Sequence, residues 1–359
     1  MSASKTSGGE QVVTTDTLGD AKIIIDPATQ SNTEPATASV HWSDVTIDDV
    51  RAARERVMPF LHRTPLLPSQ TLSALTNTRL SLKVEAFQRT GSFKSRGALN
   101  AALQLTDEQK RNGLVTLSAG NHGQGIAFAA RQVGTKATIF VPKTAVPTKV
   151  EAMRNYGADV RFVPNMESVL PFIAGFQEET GAFFVSPYDD PHVIAGQGIV
   201  ALEILEDFPE VETIVVPAGG GGLLAGILVG IKSQRPDIRV VGVEPIGANV
   251  VRRSLDAGHA VPADVIDTIA DGLGAPRAGD LSQAIISHYV DDVVLVSDDQ
   301  IASALWSILD RMKILVEPAG AASTAALIAD IVGAKPGSNA VAILSGGNID
   351  SGKLKAILP

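Results

Sequence analysis

The sequence predicts an α/β fold with open parallel sheets covered by helices on both faces. Three observations point to it. Short Val/Ile-rich runs alternate with helical stretches, and the runs are apolar throughout rather than alternating. Three of them also stop in small residues: "LSAGNHG", "VPAGGGGLLAG" and "ILSGGNID". A strand buried on both faces has no solvent side on which to place polar residues, so it reads as a continuous apolar run. Ligands of such sheets lie beyond the carboxyl ends of the strands, which directs attention to those three stops.

Taken in order, residues 1–44 are rich in Ser, Thr, Gly and Ala and read as a disordered tail. "TIDDVRAARERV", from Thr46, is an amphipathic helix with acidic residues in its first turn. "LSLKVEA" (80–86) is a strand, followed by a helix from Ser95 to Leu105. "LVTL" (114–117) runs through "SAGNHGQG" into a helix ending near Val133. "ATIFV" (137–141) precedes a helix from Pro147 that stops at Gly157. "TIVVP" (213–217) passes through four glycines into a helix from Leu223. "RVVGVE" (239–244), "DVVLV" (292–296) and "AVAIL" (340–344) complete the strands.

The chain has 359 residues, 45% hydrophobic and 19% charged, which is ample for a large globular core. A net charge of −9 without a basic stripe excludes nucleic acid as a partner. No cysteine is present, so disulfides and thiolate metal sites are excluded. The first residues lack a charged start followed by an apolar core, so no secretory signal is read and a cytoplasmic protein is expected. Ile214 to Ile231 is uncharged for 18 residues, but Pro217 and the glycines divide it. It reads as strand, loop and helix rather than a membrane span, and the spacing of Gly222, Gly226 and Gly230 as close helix packing.

Gly219, Gly220, Gly221 and Gly222 open a helix directly after a buried strand. Glycines let the backbone approach a ligand, and the free N–H groups of a helix start favour an anion, so a phosphate is the natural guest. No GxxxxGK[ST] is present, which excludes a P-loop. Gly220, Gly222 and Ala225 satisfy GxGxxA, with Glu244 ending the next strand 24 residues after Gly220. Taken alone, that unit passes as a dinucleotide site and makes an oxidoreductase an alternative. It leaves "TGSFKSRGALNAAL" (90–103) without a role. There Lys94 stands at the mouth of a helix whose Ala98, Leu99, Ala101 and Ala102 suit burial. An ammonium in an apolar site near the positive end of a helix dipole loses its proton readily, the condition a Schiff-base lysine needs. Pyridoxal phosphate requires such a lysine and a phosphate cradle together.

"SFKSRGALNA", "SAGNHGQG", "GGGGLLAG" and "LSGGNID", in this order, resemble the motif set of the serine/threonine dehydratase and serine racemase family. These are pyridoxal-phosphate enzymes of the tryptophan-synthase-β fold, also called fold type II. "DDPHVIAGQGIVALEILED" and "RMKILVEPAGAA" are similar to further segments, so the resemblance spans roughly residues 45–355. It implies two open parallel-sheet α/β domains with the active site between them. The large one comprises 45–112 and 188–359, the small mobile one 113–187. It implies that Lys94 holds the cofactor as a Schiff base with Phe93 against the ring. Asn121 would meet the phenolic oxygen and Ser345 the pyridine nitrogen. Gly219 to Gly222 with Leu223 would cradle the phosphate, and Glu317 would lie near the cofactor. Ser118, Asn121 and His122 would receive the substrate carboxylate. A homodimer is implied as well.

A hydroxyl at Ser345, unlike a carboxylate, does not favour a protonated pyridine. The ring is then a milder electron sink, which suits elimination over long-lived carbanion chemistry. Family racemases carry a serine as second proton donor where this chain has Ala119, and a methyl group cannot act as an acid. The expected reaction is therefore that of an ammonia-lyase. It is β-elimination from a β-hydroxy amino acid such as L-threonine or L-serine, giving a 2-oxo acid and ammonia. Serine racemisation is the alternative, and a non-catalytic relative a third reading that an intact Lys94, Asn121 and Ser345 oppose. "ADGLGAPRAG" (270–279) matches a segment lining family sites; its Leu273, Ala275 and Pro276 suggest tolerance of an apolar β-substituent. Some relatives bind Mg²⁺ or Ca²⁺ at the position of Glu244, but Val250 stands where racemases carry an Asp, and hard cations want more oxygen ligands.

Overall fold

The computed structural model describes residues 23–24, 40–165 and 169–358, and among these it has two main parallel sheets. In chain order the strands are β1 (Ile23–Ile24), β2 (Leu66–Pro68), β3 (Arg79–Val84), β4 (Leu114–Leu117), β5 (Ala137–Pro142) and β6 (Asp159–Val163). They continue as β7 (Phe183–Phe184), β8 (Thr213–Pro217), β9 (Arg239–Pro245), β10 (Val265–Ile266), β11 (Asp292–Val296) and β12 (Asn339–Leu344). The large sheet runs β11-β9-β8-β12-β3-β2 and the small one β6-β5-β4-β7. Every pairing in them is parallel except β2 on β3, an antiparallel edge. That strand ends in Pro68, whose missing N–H suits an edge. The central strands β8, β9 and β12 have interior residues buried on both faces, as their Val/Ile runs require.

Most helix starts follow local chemistry. Thr46 caps Ile47–Val57 in a reciprocal capping box with Asp49. The helix expected from Ser95 begins one residue earlier, as Lys94–Leu103. The expected tail, 1–44, falls mostly outside the described residues. Within it, β1 pairs antiparallel with β10, and Trp42–Asp44 forms a turn of 3-10 helix. The indole of Trp42 stacks on His288 at 3.8 Å, so order begins before Thr46. Among the described residues no helix is long and apolar enough to cross a membrane.

Glycines set the helix crossings around the site. A methyl on Gly226 would sit 2.4 Å from the Ile194 carbonyl oxygen, and one on Gly230 2.5 Å from the Ala201 methyl. The helix Gly222–Lys232 thus lies against Pro191–Asp207 backbone to backbone, as the glycine spacing predicts. The same neighbour touches the Lys94 helix. A methyl on Gly97 would fall 2.6 Å from the Val193 carbonyl oxygen, and one on Gly196 2.6 Å from Gly97 Cα. Backbone cannot retreat as a flexible side chain can, so Gly196→Ala should destabilise the fold by about 1–3 kcal/mol. Urea melts of the variant check this, and an unchanged midpoint contradicts the crossing.

Candidate active site

Lys94 opens its helix with its backbone one residue after Phe93, whose N–H donates to the Ser345 carbonyl (3.1 Å). Because Ser345 follows β12 directly, this bond fixes the lysine-bearing turn to the end of a central strand. The Lys94 ammonium donates to the Pro187 carbonyl (2.7 Å) and stands 5.0 Å from the Phe93 ring centroid. Some of its surface stays open to the cleft, but protein surrounds the amine. Burial pulls its pKa down to about 8, against the pull of the Glu317 carboxylate.

The residue after Pro187 connects this amine to the glycine turn. A methyl on Gly220 would lie 2.3 Å from the Tyr188 ring, and one on Gly222 2.8 Å from Tyr188 Cα. Gly221 has φ +104° and Gly219 φ +55°, a backbone that L side chains rarely adopt. No side chain caps the helix start at Gly221, and Leu223 is buried in its first turn. This is an uncapped positive helix end at a strand terminus. Tyr188 was not foreseen, nor was the Pro187 carbonyl; more than 90 residues separate them from Lys94, and no local pattern marks them. Burial and the charge of Asp189 push the Tyr188 phenol up to about 12, so it stays protonated. Asp189 in turn accepts from the Asp280, Leu281 and Ser282 N–H groups and anchors the segment.

At the end of β4, Ser118 Oγ accepts from the Gly120 N–H (3.1 Å), leaving its own proton to give. The helix Asn121–Val133 then begins without a side-chain cap. Asn121 Nδ2 donates to Glu317 Oε1 at 2.5 Å, and its Oδ1 accepts from Asn348 Nδ2 at 2.7 Å. Burial raises the Glu317 carboxyl above its ordinary value, opposed by Lys149 and by the Asn121 bond. Ser345 Oγ, 4% exposed, makes a single long contact of 3.4 Å to the Ala319 carbonyl, so it is free to take a better partner.

Two expectations need correction: the side-chain role of His122 and the metal role of Glu244. His122 is buried, its Nε2 lies 3.1 Å from the Val185 carbonyl, and burial with the Lys94 charge lowers its pKa to about 3. A carbonyl only accepts, so Nε2 carries the proton of the neutral ring and Nδ1 offers a lone pair. That leaves no ring proton for a carboxylate; Ser118 and the first backbone N–H groups of the helix, that of His122 among them, remain as donors. Glu244 is buried with its two oxygens accepting from the Val251 and Arg252 N–H groups at 3.0 and 2.8 Å. It caps a helix, although burial pushes its pKa up to about 8. Among the described residues no group of three or more His, Asp or Glu could hold a metal ion. Leu273 and Ala275 are buried, and Leu273 packs against Gly219 of the glycine turn.

Residues 57–346 match the family described as pyridoxal-phosphate dependent enzyme. The chain belongs to that family. It is 41% identical over 317 residues to an L-threonine ammonia-lyase of Thermotoga maritima, covering 88% of this chain and 78% of that one. The structure of maize serine racemase matches with a TM-score of 0.84 and 39% identity over 87% of this chain and 96% of that one. The processed form of threonine deaminase isoform 2 from Solanum lycopersicum matches with a TM-score of 0.81 and 31% identity, over 91% of this chain and 98% of that one. The fold is thus fold type II, and the dinucleotide reading of the glycines falls.

The residues present fit pyridoxal phosphate. The amine lies between the Pro187 carbonyl and the Phe93 ring, Gly220 to Gly222 have no room for Cβ atoms and no side-chain cap, and Ser345 Oγ lacks a good partner. Ser92 Oγ and Thr90 Oγ1, on either side of Gly91, are buried without any partner. Such atoms call for a partner from outside the chain, water or ligand.

Proposed function

We propose that the protein eliminates water and ammonia from a small β-hydroxy amino acid, with L-threonine and L-serine as substrates. The product is a 2-oxo acid: the enamine left after loss of water tautomerises and takes the water back on releasing ammonia. The observation that carries this reading is the Lys94 amine, held near pKa 8 between the Pro187 carbonyl and the Phe93 ring. An amine so poised is deprotonated in part at neutral pH and can act as both nucleophile and base. When bound, pyridoxal phosphate withdraws electrons from the substrate α-carbon and makes its proton acidic.

In this reading Lys94 holds the cofactor and afterwards takes the α-proton. Gly219 to Gly222 with Leu223 hold the phosphate, Phe93 supports the ring, and Ser345 meets its nitrogen without forcing protonation. Asn121 would offer the phenolic oxygen the Nδ2 hydrogen that Glu317 does not take. Ser118 and the first N–H groups of Asn121–Val133 bind the substrate carboxylate. Residues 113–187 act as a small domain that closes over the large one, 45–112 with 188–359, and excludes water from the carbanion. Homodimerisation, which the resemblance implies, and a cytoplasmic location belong to the same proposal.

Relatives named both as ammonia-lyase and as racemase make the second reaction worth separating. Ala119, half-buried between Ser118 and Gly120, puts a methyl where a racemase needs a proton. The cofactor-loaded protein should release ammonia from L-threonine or L-serine and form no D-serine detectable by chiral chromatography. Ala119→Ser should make D-serine appear while elimination continues within about tenfold of the parent rate. Loaded protein that releases no ammonia from either substrate would overturn the proposal.

A further inference from the structure

Asn348, in the loop after β12, lies in a chain of side-chain bonds whose direction one atom decides. Its Nδ2 lies 2.7 Å from the Thr90 carbonyl oxygen and 2.7 Å from an amide atom of Asn121. A backbone carbonyl can only accept, so the atom of Asn348 facing it must be the N–H group. The same group then requires an acceptor on Asn121, which turns Oδ1 of Asn121 toward it and Nδ2 away, onto Glu317. An asparagine amide is nearly symmetric in shape, and only its partners decide which end faces where.

The surroundings hold Asn348 tightly. A methyl on Gly91 would sit 2.5 Å from Asn348 Oδ1, and Gly91 has φ +74°. Thr90 adopts φ +65°, a conformation unusual for a β-branched residue, and this turn presents its carbonyl. The Gly347 N–H donates to the Gly91 carbonyl (2.9 Å), joining the two loops by backbone as well. A methyl on Gly346 would lie 2.6 Å from Glu317 Oε1, so the loop also leaves the Asn121–Glu317 pair its space.

We propose that Asn348 is a positioning residue that fixes the orientation of the Asn121 amide and so keeps an N–H donor directed at the cofactor. The inference rests on the reading of Asn121 as a cofactor-facing amide, and the experiment separates the two. Asn348→Asp replaces the donor with an acceptor of the same shape, which draws Asn121 Nδ2 toward itself and puts Oδ1 where Nδ2 now stands, against Glu317 Oε1 and the cofactor, so that the donor on that side is lost. Parent, Asn348→Asp, Asn121→Ala and the double variant are compared by cofactor dissociation constant, by the pH midpoint of the visible absorption of the loaded protein, and by melting of the cofactor-free protein. Asn348→Asp and Asn121→Ala should each weaken cofactor binding about tenfold, the scale of one lost hydrogen bond, and shift the midpoint. The double variant should be no worse than Asn121→Ala alone.

If Asn121→Ala changes neither binding nor midpoint, the reading of Asn121 falls and the inference with it. If Asn121→Ala changes both and Asn348→Asp neither, the inference falls and the reading stands. Additive effects in the double variant also overturn the inference, because Asn348 would then act independently of Asn121. Should Asn348→Asp fail to fold, Asn348→Leu, which has no charge and keeps the shape, is put through the same comparison.

Discussion

Lys94→Met lowers kcat for L-threonine by at least about 10⁴-fold, beyond the ordinary range for loss of a general base, because the cofactor anchor disappears as well. Borohydride reduction should place a pyridoxyl group on Lys94 in the parent and on no residue of the variant. A parent adduct on another side chain refutes the assignment. The stability effect has the opposite sign. In the cofactor-free protein, burial lowers the Lys94 pKa from 10.5 to about 8, so the charged form costs about 3 kcal/mol at neutral pH. Between those values the unfolded chain binds more protons than the folded one, and parent stability rises with pH. Lys94→Met, which fills the same space without a charge, should be the more stable protein at pH 7. Its advantage should shrink as pH rises from 8 toward 10.5. Denaturant midpoints measured at pH 7 and pH 10 decide the matter, and an advantage that grows with pH contradicts it.

Arg96→Met should be the most destabilising single change near the site, by about 3–5 kcal/mol. Arg96, 1% exposed, pairs with Glu85 (2.8 Å) and with Glu203 (2.8 Å). Lys83, also fully buried, pairs with Glu203 (2.6 Å) and donates to the Thr64 carbonyl (2.7 Å), while the Thr64 hydroxyl donates to Glu85 (2.5 Å). Two cations and two carboxylates thus balance in a buried cluster to which the Lys94 helix contributes Arg96. Removing Arg96 leaves two buried carboxylates facing one lysine, and the penalty is that of an uncompensated charge rather than of a lost bond. Arg96 and Lys83 hold the Glu85 carboxyl below its ordinary range despite burial. Its contribution is therefore present above the unfolded carboxylate pKa and lost as pH falls below it, and that loss should be absent in Arg96→Met. Thermal melts at pH 7, and then downward from pH 5 to pH 3, measure both effects. A variant within 1 kcal/mol of the parent would show that water reaches the cluster.

Much of this was legible in the residues. The Val/Ile runs located β3, β4, β5, β8, β9, β11 and β12, because double-sided burial leaves its mark on every position of a strand. Gly226 and Gly230 announced a close helix crossing, and the crossing is there. Strands β1, β2, β6, β7 and β10 were not read: β1, β7 and β10 have two residues each, β2 has three with a proline, and β6 (DVRFV) is a half-exposed edge strand without an apolar run. For His122 and Glu244 the residue types were right for chemistry, but a carbonyl and two backbone N–H groups had already taken their functional atoms.

The sequence by itself determined the parallel α/β class, the position of the lysine at a helix mouth, and the glycine turn that must follow a buried strand. These are local properties, set by side-chain period and by which residues tolerate positive φ. It took the folded chain to show that Tyr188 links Lys94 to that turn, that Arg96 sits in a balanced charge cluster, and that Asn348 bonds to Asn121. Each of these joins residues far apart in the chain. Hydrogen-bond direction and charge balance depend on which groups meet in space, and no single segment contains both partners.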